Sequence, residues 1–463
     1  MRIQFLREMP STPPPERGEL VCVLSLRRGD VEAGPAPALS GALVTSLGTP
    51  PVSRRSLTRA PAQEGLPRLR IDRYQLVASH PLSAAALLAE GYPHRVVEVL
   101  QRLLNVVPTL ALVDVVTDQA LPLQHPALQE QLGLALEPLA GGLLLAPTLG
   151  GEPDDGPAPL VAGAHELDPT LVRMRLWDVV QDWTDQVRGL EQLLRTHYLT
   201  GLIDIPMCPW LLTPQRWDDV RQKQRLPIFL QTVERHWQHA LDQAVDELTG
   251  MDISLCAWAG DWGALLPHAR RSPAALAAHT LLVQRQNPAL ATLERQRAVL
   301  PALGPAPASR LPALLRGLPT RVEPPASLHS RLITARLDAF GVCHFEGQSC
   351  LRAPVGVWSL PAVRTLKELE FSLRRTADQF VFLPVSETSA LELVNALQYR
   401  LDSYLIKGVL APLSTPEELI TAWPERREPP ALVAQVLGYL RPWCHTFRIR
   451  LSILPGGVEV QTT

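Results

Sequence analysis

The placement of proline constrains this chain more than any other sequence feature. It carries 45 prolines in 463 residues, where an average usage of ~5% would give about 23. Proline lacks a backbone N–H and breaks helix interiors and central strands, so its clusters mark joints. Such clusters occur at Pro13–Pro15, through the stretch ending near Pro67, at 150–159, between Gly304 and Pro325, and at Pro424–Pro430. The reading is of many short elements on stiff connectors, divided over two or three domains at this length.

Composition permits sizeable cores, with 46% apolar and 19% charged residues. Net charge is −2 with acids and bases interspersed, which lacks the basic stripe that phosphate backbones select; no nucleic-acid partner is expected. Cys22, Cys208, Cys256, Cys343, Cys350 and Cys444 form neither a CxxC pair nor a compact disulfide framework, so a reduced, cytoplasmic setting is expected. The first residues, MRIQFLREMPSTPPP, lack the apolar centre of a signal peptide. The apolar stretch Leu132–Ala146 is broken by Glu137, Pro138, Gly141 and Gly142. It does not read as a bilayer span, and no direct membrane insertion is expected.

Residues 1–75 read as a Pro-rich arm too poor in apolar residues to build its own core, with one short strand candidate, Leu20–Leu26. Residues 76–303 read as a middle α/β domain with helical insertions. There Val96, Val99, Leu100, Leu103 and Leu104 recur at helical spacing, and Pro93 suits a first helical turn. Apolar runs at Thr109–Val116 and Gly142–Pro147 flank a helix over Pro126–Leu136, the strand–helix–strand pattern of a parallel sheet. A long helix from Asp168-Pro169 toward His197, a strand at Leu202–Pro206, a helix over Pro227–Leu248, a strand at Ile253–Ala257 and a helix from Ser272-Pro273, interrupted at Asn287-Pro288, follow. Residues 304–327 read as a connector, and 328–463 as a C-terminal α+β domain.

In that last domain Arg352-Ala-Pro-Val-Gly-Val-Trp358 is extended, and Thr365–Thr376 is helical and carries Arg374-Arg375 near its end. Phe380–Pro384 reads as a short buried strand. Ser389–Ile406 is an amphipathic helix ending on Lys407-Gly408. His445–Ile453 then alternates: Phe447, Ile449, Leu451 and Ile453 face one way, Thr446, Arg448, Arg450 and Ser452 the other, which is a half-buried strand. Pro455-Gly456-Gly457 and Val458-Glu-Val460 can fold back on it as a hairpin.

This series of elements resembles the C-terminal domain of the contractile tail sheath proteins of phages, bacteriocins and extracellular injection systems. The likeness rests on Arg352–Trp358, Arg374-Arg375, Phe380–Pro384, Leu405-Ile406-Lys407-Gly408-Val409-Leu410 and Phe447–Ile453, and is strongest over residues 328–463. It implies a non-enzymatic building block without cofactor, whose copies stack as rings of six around an inner tube protein and meet baseplate and cap proteins. Such a protein assembles in the cytoplasm and is part of a virion tail or a phage-tail-like particle. It further implies that terminal strands pair with neighbouring copies. The implied contact residues are Leu20, Val21, Val23 and Leu24 near one end, and Thr446, Phe447, Arg448, Ile449, Arg450, Leu451 and Ile453 near the other. The opening differs from the family's usual first strand, so a sheath initiator or cap protein is an open alternative.

A rival class is an α/β enzyme, of hydrolase or barrel type, that uses a carboxylate at a strand end. Asp114, Asp204 and Asp252 lie within or beside apolar runs. There is, however, no GxSxG elbow, phosphate-cradling glycine loop or HExxH, and each Asp can equally be a cap or turn former. His236 and His239, spaced i, i+3 with Asp242 and Asp246 beyond, could share a helix face and ligate a metal, but they also suit a polar face beside Val233, Trp237 and Leu241; no metal is expected. Cys343 and Cys350 flank His344, yet catalytic thiol–imidazole pairs come from separate elements, so these read as core or loop cysteines.

Overall fold

A computed structural model describes residues 20–39, 43–46, 68–80, 82–118, 121–149, 169–206, 226–261, 265, 268, 271–283, 297–299, 321–338, 342–347, 349–352, 358–406, 408–412, 419–441 and 445–462. The triple proline, the 150–159 loop, Asn287-Pro288, most of the Gly304–Pro325 stretch, Ala353–Val357, Lys407, Cys208 and Cys444 lie outside the described residues.

The first unit is built on strands β1 (Val21–Arg28), β2 (Leu43–Ser46), β3 (Leu69–Val77), β4 (Thr109–Thr117), β5 (Leu143–Leu145), β6 (Thr200–Asp204), β7 (Ile253–Asp261), β8 (Arg297–Val299), β9 (Arg321–Val322), β10 (Leu332–Leu337) and β11 (Val342–Glu346). They make one mixed sheet in the order β2-β3-β4-β1-β5-β6-β7-β10-β11-β8, with β9 beside β7. Its centre, β4-β1-β5-β6-β7-β10, is parallel throughout. Antiparallel strands close both sides. Along the parallel strands the chain steps left once, from β1 to β4, and then runs right from β5, so the winding reverses between β1 and β5.

Side-chain alternation sorts the sheet into two cores. Cys22, Leu24, Val113, Val115, Leu144, Ile203, Ile253 and Leu255 meet α3 (Pro126–Leu136), α4 (Pro169–Arg188), α5 (Glu191–Thr196) and α6 (Leu226–Glu247) on one face. Val21, Val23, Leu110, Leu112, Leu145, Cys256 and Ile333 meet α1 (Ala84–Ala89), α2 (His94–Leu104) and α7 (Pro273–Val283) on the other. Strands buried on both faces need continuous apolar runs, and β4 and β5 have them.

The second unit opens with the ribbon β12 (Ser349–Cys350) and β13 (Trp358–Ser359). Ser359 caps α8 (Leu360–Ala377) by accepting from the Ala362 N–H. After α9 (Glu387–Ile406) come β14 (Leu410–Ala411), β15 (Ile420–Glu425), β16 (Ala431–Leu440), β17 (His445–Leu454) and β18 (Gly457–Thr462). These form an antiparallel sheet, β14-β16-β17-β18, with β15 also on β16. One face of it, carrying Leu432, Ala434, Val436, Phe447, Ile449, Leu451 and Ile453, buries against Leu366, Leu369, Leu373, Leu393, Leu397 and Leu401 of the two helices, in a third core.

The expected element types hold for most of the chain, and four expectations change. The described parts of residues 1–75 do not form a separate arm, because β1 lies at the centre of the main sheet and β2 and the start of β3 extend it. The division near residue 328 moves later: β9, β10 and β11 complete the first sheet, and the second unit begins with the β12–β13 ribbon. Phe380–Pro384 is not a strand. Helix α8 tightens into a 3₁₀ turn at Asp378–Phe380, Leu383 N–H bonds back to the Phe380 carbonyl, and Phe382 projects into solvent at 93% exposure. The long helix toward His197 also divides, at Gly189, where a Cβ would lie 2.5 Å from the Leu123 Cβ.

Gly260 shows how tightly the first sheet is set. It pairs with Leu337 of β10 and Val322 of β9, its φ is +130°, and a Cβ there would sit 2.6 Å from the Leu337 carbonyl oxygen. Gly260→Ala therefore combines a disfavoured φ with a backbone clash. It should cost more than about 1 kcal/mol, read as a lower denaturant midpoint with an unchanged m-value.

Candidate assembly interface

The alternating segment His445–Leu454 forms β17 as its pattern requires. Phe447, Ile449, Leu451 and Ile453 are buried and Thr446 and Arg448 are exposed. Arg450 reaches across to Glu425, with its Nη2 2.7 Å from Oε1. β17 is, however, an interior strand. It pairs with β16 from Leu432↔Ile453 to Leu440↔His445, and with β18 from Ile449↔Thr462 to Leu454↔Gly457. Both of its backbone edges are used within the chain from Ile449 to Ile453, whereas Thr446, Phe447 and Arg448 pair with β16 alone among the described residues.

Among the described residues the outer edges of this sheet are those of the two-residue β14, of β15 and of β18. β15 carries Pro424, which has no N–H to offer, and its Glu425 is held by Arg450 and Arg427. Proline and charge on an edge discourage further pairing. β18, Gly457-Val-Glu-Val-Gln-Thr462, has no proline, and the two-residue loop Pro455-Gly456 lays it antiparallel on β17. Only one side of it is paired among the described residues, and Val458 is tucked into the core beneath it. In the sequence the turn residues and the alternation of Val458 and Val460 mark this edge, although the longer alternation of β17 is the stronger signal.

The amino-terminal candidates go elsewhere. Val21, Val23 and Leu24 are fully buried in β1, which is paired along its length with β4 and at Val21–Val23 with β5. The Leu20 carbonyl accepts from the Leu143 N–H at 2.9 Å. A strand apolar on both faces belongs inside a parallel sheet, and at Cys22 and Val23 both backbone edges of this one are taken, by β4 and β5.

The carboxylates of the rival reading are placed as follows. Asp114 is wholly buried in β4. Arg27 Nε lies 3.0 Å from each of its oxygens, Arg27 Nη2 is 2.8 Å from Oδ2, and the Tyr92 hydroxyl donates to Oδ2 at 3.0 Å. The guanidinium also stacks over the Tyr92 ring, 4.4 Å from its centroid. Burial, and then the Asp114 charge, push the Tyr92 phenol far up. Asp204 ends β6 and is also fully buried. Its Oδ1 accepts from the Ala274 N–H at 2.7 Å, so it ties β6 to the start of α7, where Ser272 accepts from Ala275. Burial raises its pKa to about 6, against the opposing pull of Arg95 and the Ser272 hydroxyl. Asp252, just ahead of β7, lies 2.6 Å from Lys367 Nζ and 3.5 Å from Arg352 Nη1. No two of these three share a site.

On α6, Asp242 accepts from the Ser327 hydroxyl at 2.7 Å and Asp246 pairs with Arg331. His236 is half-buried and His239 exposed; desolvation, then Arg173 and His239, lower the His236 pKa. The described residues include no group of three His, Cys, Asp or Glu side chains arranged to hold a metal ion. Cys343 faces the core, where burial raises its thiol to about 12, whereas His344 points the other way toward Asp338, 3.4 Å off. Cys350 is buried and likewise raised to about 12. Among the described residues no helix is long and apolar enough to cross a membrane.

No protein-family model and no curated protein matches the chain. Solved structures similar to it include the helical sheath of the anti-feeding prophage in its contracted state, at 12% identity and a TM-score of 0.39 over 88% of this chain and 83% of that one. The sheath complex of the extracellular contractile injection system PVC, also contracted, is similar at 12% identity and a TM-score of 0.40, over 88% and 81%. The six-fold symmetrised baseplate of the anti-feeding prophage is similar at 12% and 0.39, over 90% and 89%.

Asp204 gives a pH signature of a structural carboxylate. Its folded pKa is raised, so its contribution to stability is full below the unfolded value near 4 and is lost as pH rises through about 6. Asp204→Asn keeps an acceptor for the Ala274 N–H and removes the titration. The variant should gain up to about 3 kcal/mol relative to wild type between pH 4 and 7, read from urea midpoints across that range. A variant that loses stability at pH 7 would show that the charge itself is needed.

Proposed function

We propose that this chain is a structural subunit of a contractile, phage-tail-like sheath, which joins neighbouring copies by adding their strands to the second sheet. The observation that carries the reading is the outer edge of β18: a six-residue, proline-free edge beside a strand that is paired on both sides from Ile449 to Ile453. An edge of that kind offers a row of N–H and C=O groups for an incoming strand. The resemblance of the C-terminal third to sheath proteins supplies the rest: rings of six, an inner tube protein within them, baseplate and cap proteins at the ends, and a place in a tail-like particle.

The assembly contact on this reading moves from β17 to β18, while Thr446 and Arg448 remain as exposed side chains on the same sheet. The sheath function is mechanical, and the carboxylates of the enzyme reading support this assignment. Asp114 and Asp204 are both wholly buried and both engaged by main-chain or side-chain donors of their own chain.

Electron microscopy of the purified chain tests the reading. Backbone amides alternate between the two edges of a strand, so one of Glu459→Pro and Val460→Pro removes only an outward-facing donor. That variant should keep the wild-type melting temperature and lose the tubes or stacked rings that the wild type forms. Wild-type protein that stays monomeric under all conditions, or both folded proline variants polymerising like wild type, would count against strand addition at β18.

A further inference from the structure

Leu351 and Leu360, on either side of the β12–β13 ribbon, are anchored in the two cores of the first unit, and Leu351 exchanges main-chain bonds with Ile253 and Gly250; beyond these anchors, α8 meets the first unit through a polar seam. Asp252 of the first unit, Arg352 of the connecting segment, and Lys367 and Glu370 of α8 form a closed quartet. Lys367 Nζ lies 2.6 Å from Asp252 and 3.2 Å from Glu370, and Arg352 lies 3.5 Å and 3.1 Å from the same two. All four side chains are at least 85% buried, and the charges cancel.

One helical turn along α8, Tyr198 stands beneath the helix. Its ring packs against Phe371, 6.1 Å between centroids, with Lys367 Nζ and the Arg374 guanidinium 5.8 and 5.7 Å from the ring centre. Its hydroxyl accepts from Arg374 at 3.2 Å. Tyr198 has a φ of +55°, and among the described residues it is the one non-glycine residue with a positive value. It follows α5, and the Leu199 N–H bonds back to the Leu194 carbonyl, so Tyr198 fills a helix-ending position that glycine ordinarily takes. A tyrosine held there against its backbone preference points to a use for its side chain.

We propose that Tyr198 and the Asp252–Arg352–Glu370–Lys367 quartet form a clasp that holds α8 and the sheet it covers in one pose, and that undoing the clasp frees the second unit to swing about the anchored start of α8 at Leu360 with the second core intact. Whatever the chain assembles into, the pose of β18 relative to the first sheet is set at this seam. Tyr198 is thus a positioning residue. Polar interfaces between units favour relative motion. Here charges that are buried but fully matched make the docked pose specific, because any displacement leaves them desolvated and unpaired.

The test uses the full chain as a monomer, so its outcome is separate from that of the assembly experiment. Wild type should unfold in one calorimetric transition. Tyr198→Gly, which relieves the backbone and removes the post, should split this into two transitions and lengthen the maximum dimension in small-angle scattering. Tyr198→Phe keeps the ring and should restore the single transition. If Tyr198→Gly does not fold, Lys367→Met is read in the same way. One transition with a wild-type maximum dimension in the folded variant would overturn the proposal.

Discussion

The fold depends on the main-chain ladders of β1. Val21–Arg28 lies between β4 and β5, parallel to both, and its side chains alternate between the two large cores. The sheet cannot close until Leu145 is available, although its central strand comes from the first tenth of the chain. Such non-local pairing slows folding because loop closure precedes the reward. It also brings Arg27 to the interior end of the strand. The paired Asp114, with Tyr92 beside it, is what makes that guanidinium tolerable, since a buried charge without its partner costs about 3–5 kcal/mol. The carboxylate most suggestive of catalysis is therefore a consequence of where β1 had to go.

Much of this was readable in the sequence. The continuous apolar runs of β4 and β5 and the helical spacing of α2 and α3 gave a parallel sheet, since they report burial on two faces and on one. The alternation of β17 likewise showed which side faces α8 and α9. What pattern could not show was neighbourhood. Val21-Cys-Val-Leu reads the same whether the strand pairs with its own chain or with another, and the Pro- and Gly-rich stretch after it suggested an arm. Nothing local ties β10 and β11 to the first sheet and not the second. The Phe380–Leu383 run is apolar enough for a strand, but it is short and follows a helix that simply winds tighter before turning.

The seam was illegible for a related reason. Lys367 and Glu370 look like an ordinary i, i+3 pair on a helix face, and Asp252 like a turn former after Gly250. Only the docking of α8 against the starts of β6 and β7 turns them into a matched, desolvated set. Tyr198 leaves a fainter trace. The sequence shows a tyrosine where a glycine would end α5 more comfortably, and the meaning of that choice appears only when Phe371 and Arg374 are beside it.

The edges of the two sheets show opposite treatment. The main sheet ends in β2 and β8, of four and three residues, too short to template much pairing. In the second sheet β15 is spoiled by Pro424 and by the charged cluster at Glu425. β18 alone combines length, backbone donors and a core-facing valine, so a strand laid along it would continue the ladder of β16 and β17 and extend the layer that α8 and α9 already cover. Main-chain bonding of this kind is tolerant of sequence, and specificity must come from how the edge is presented. The packing of the second sheet on α8, and the polar seam between α8 and the first unit, set the direction in which β18 points. In the proposed assembly, an edge open to any strand becomes selective for a neighbour held at one angle.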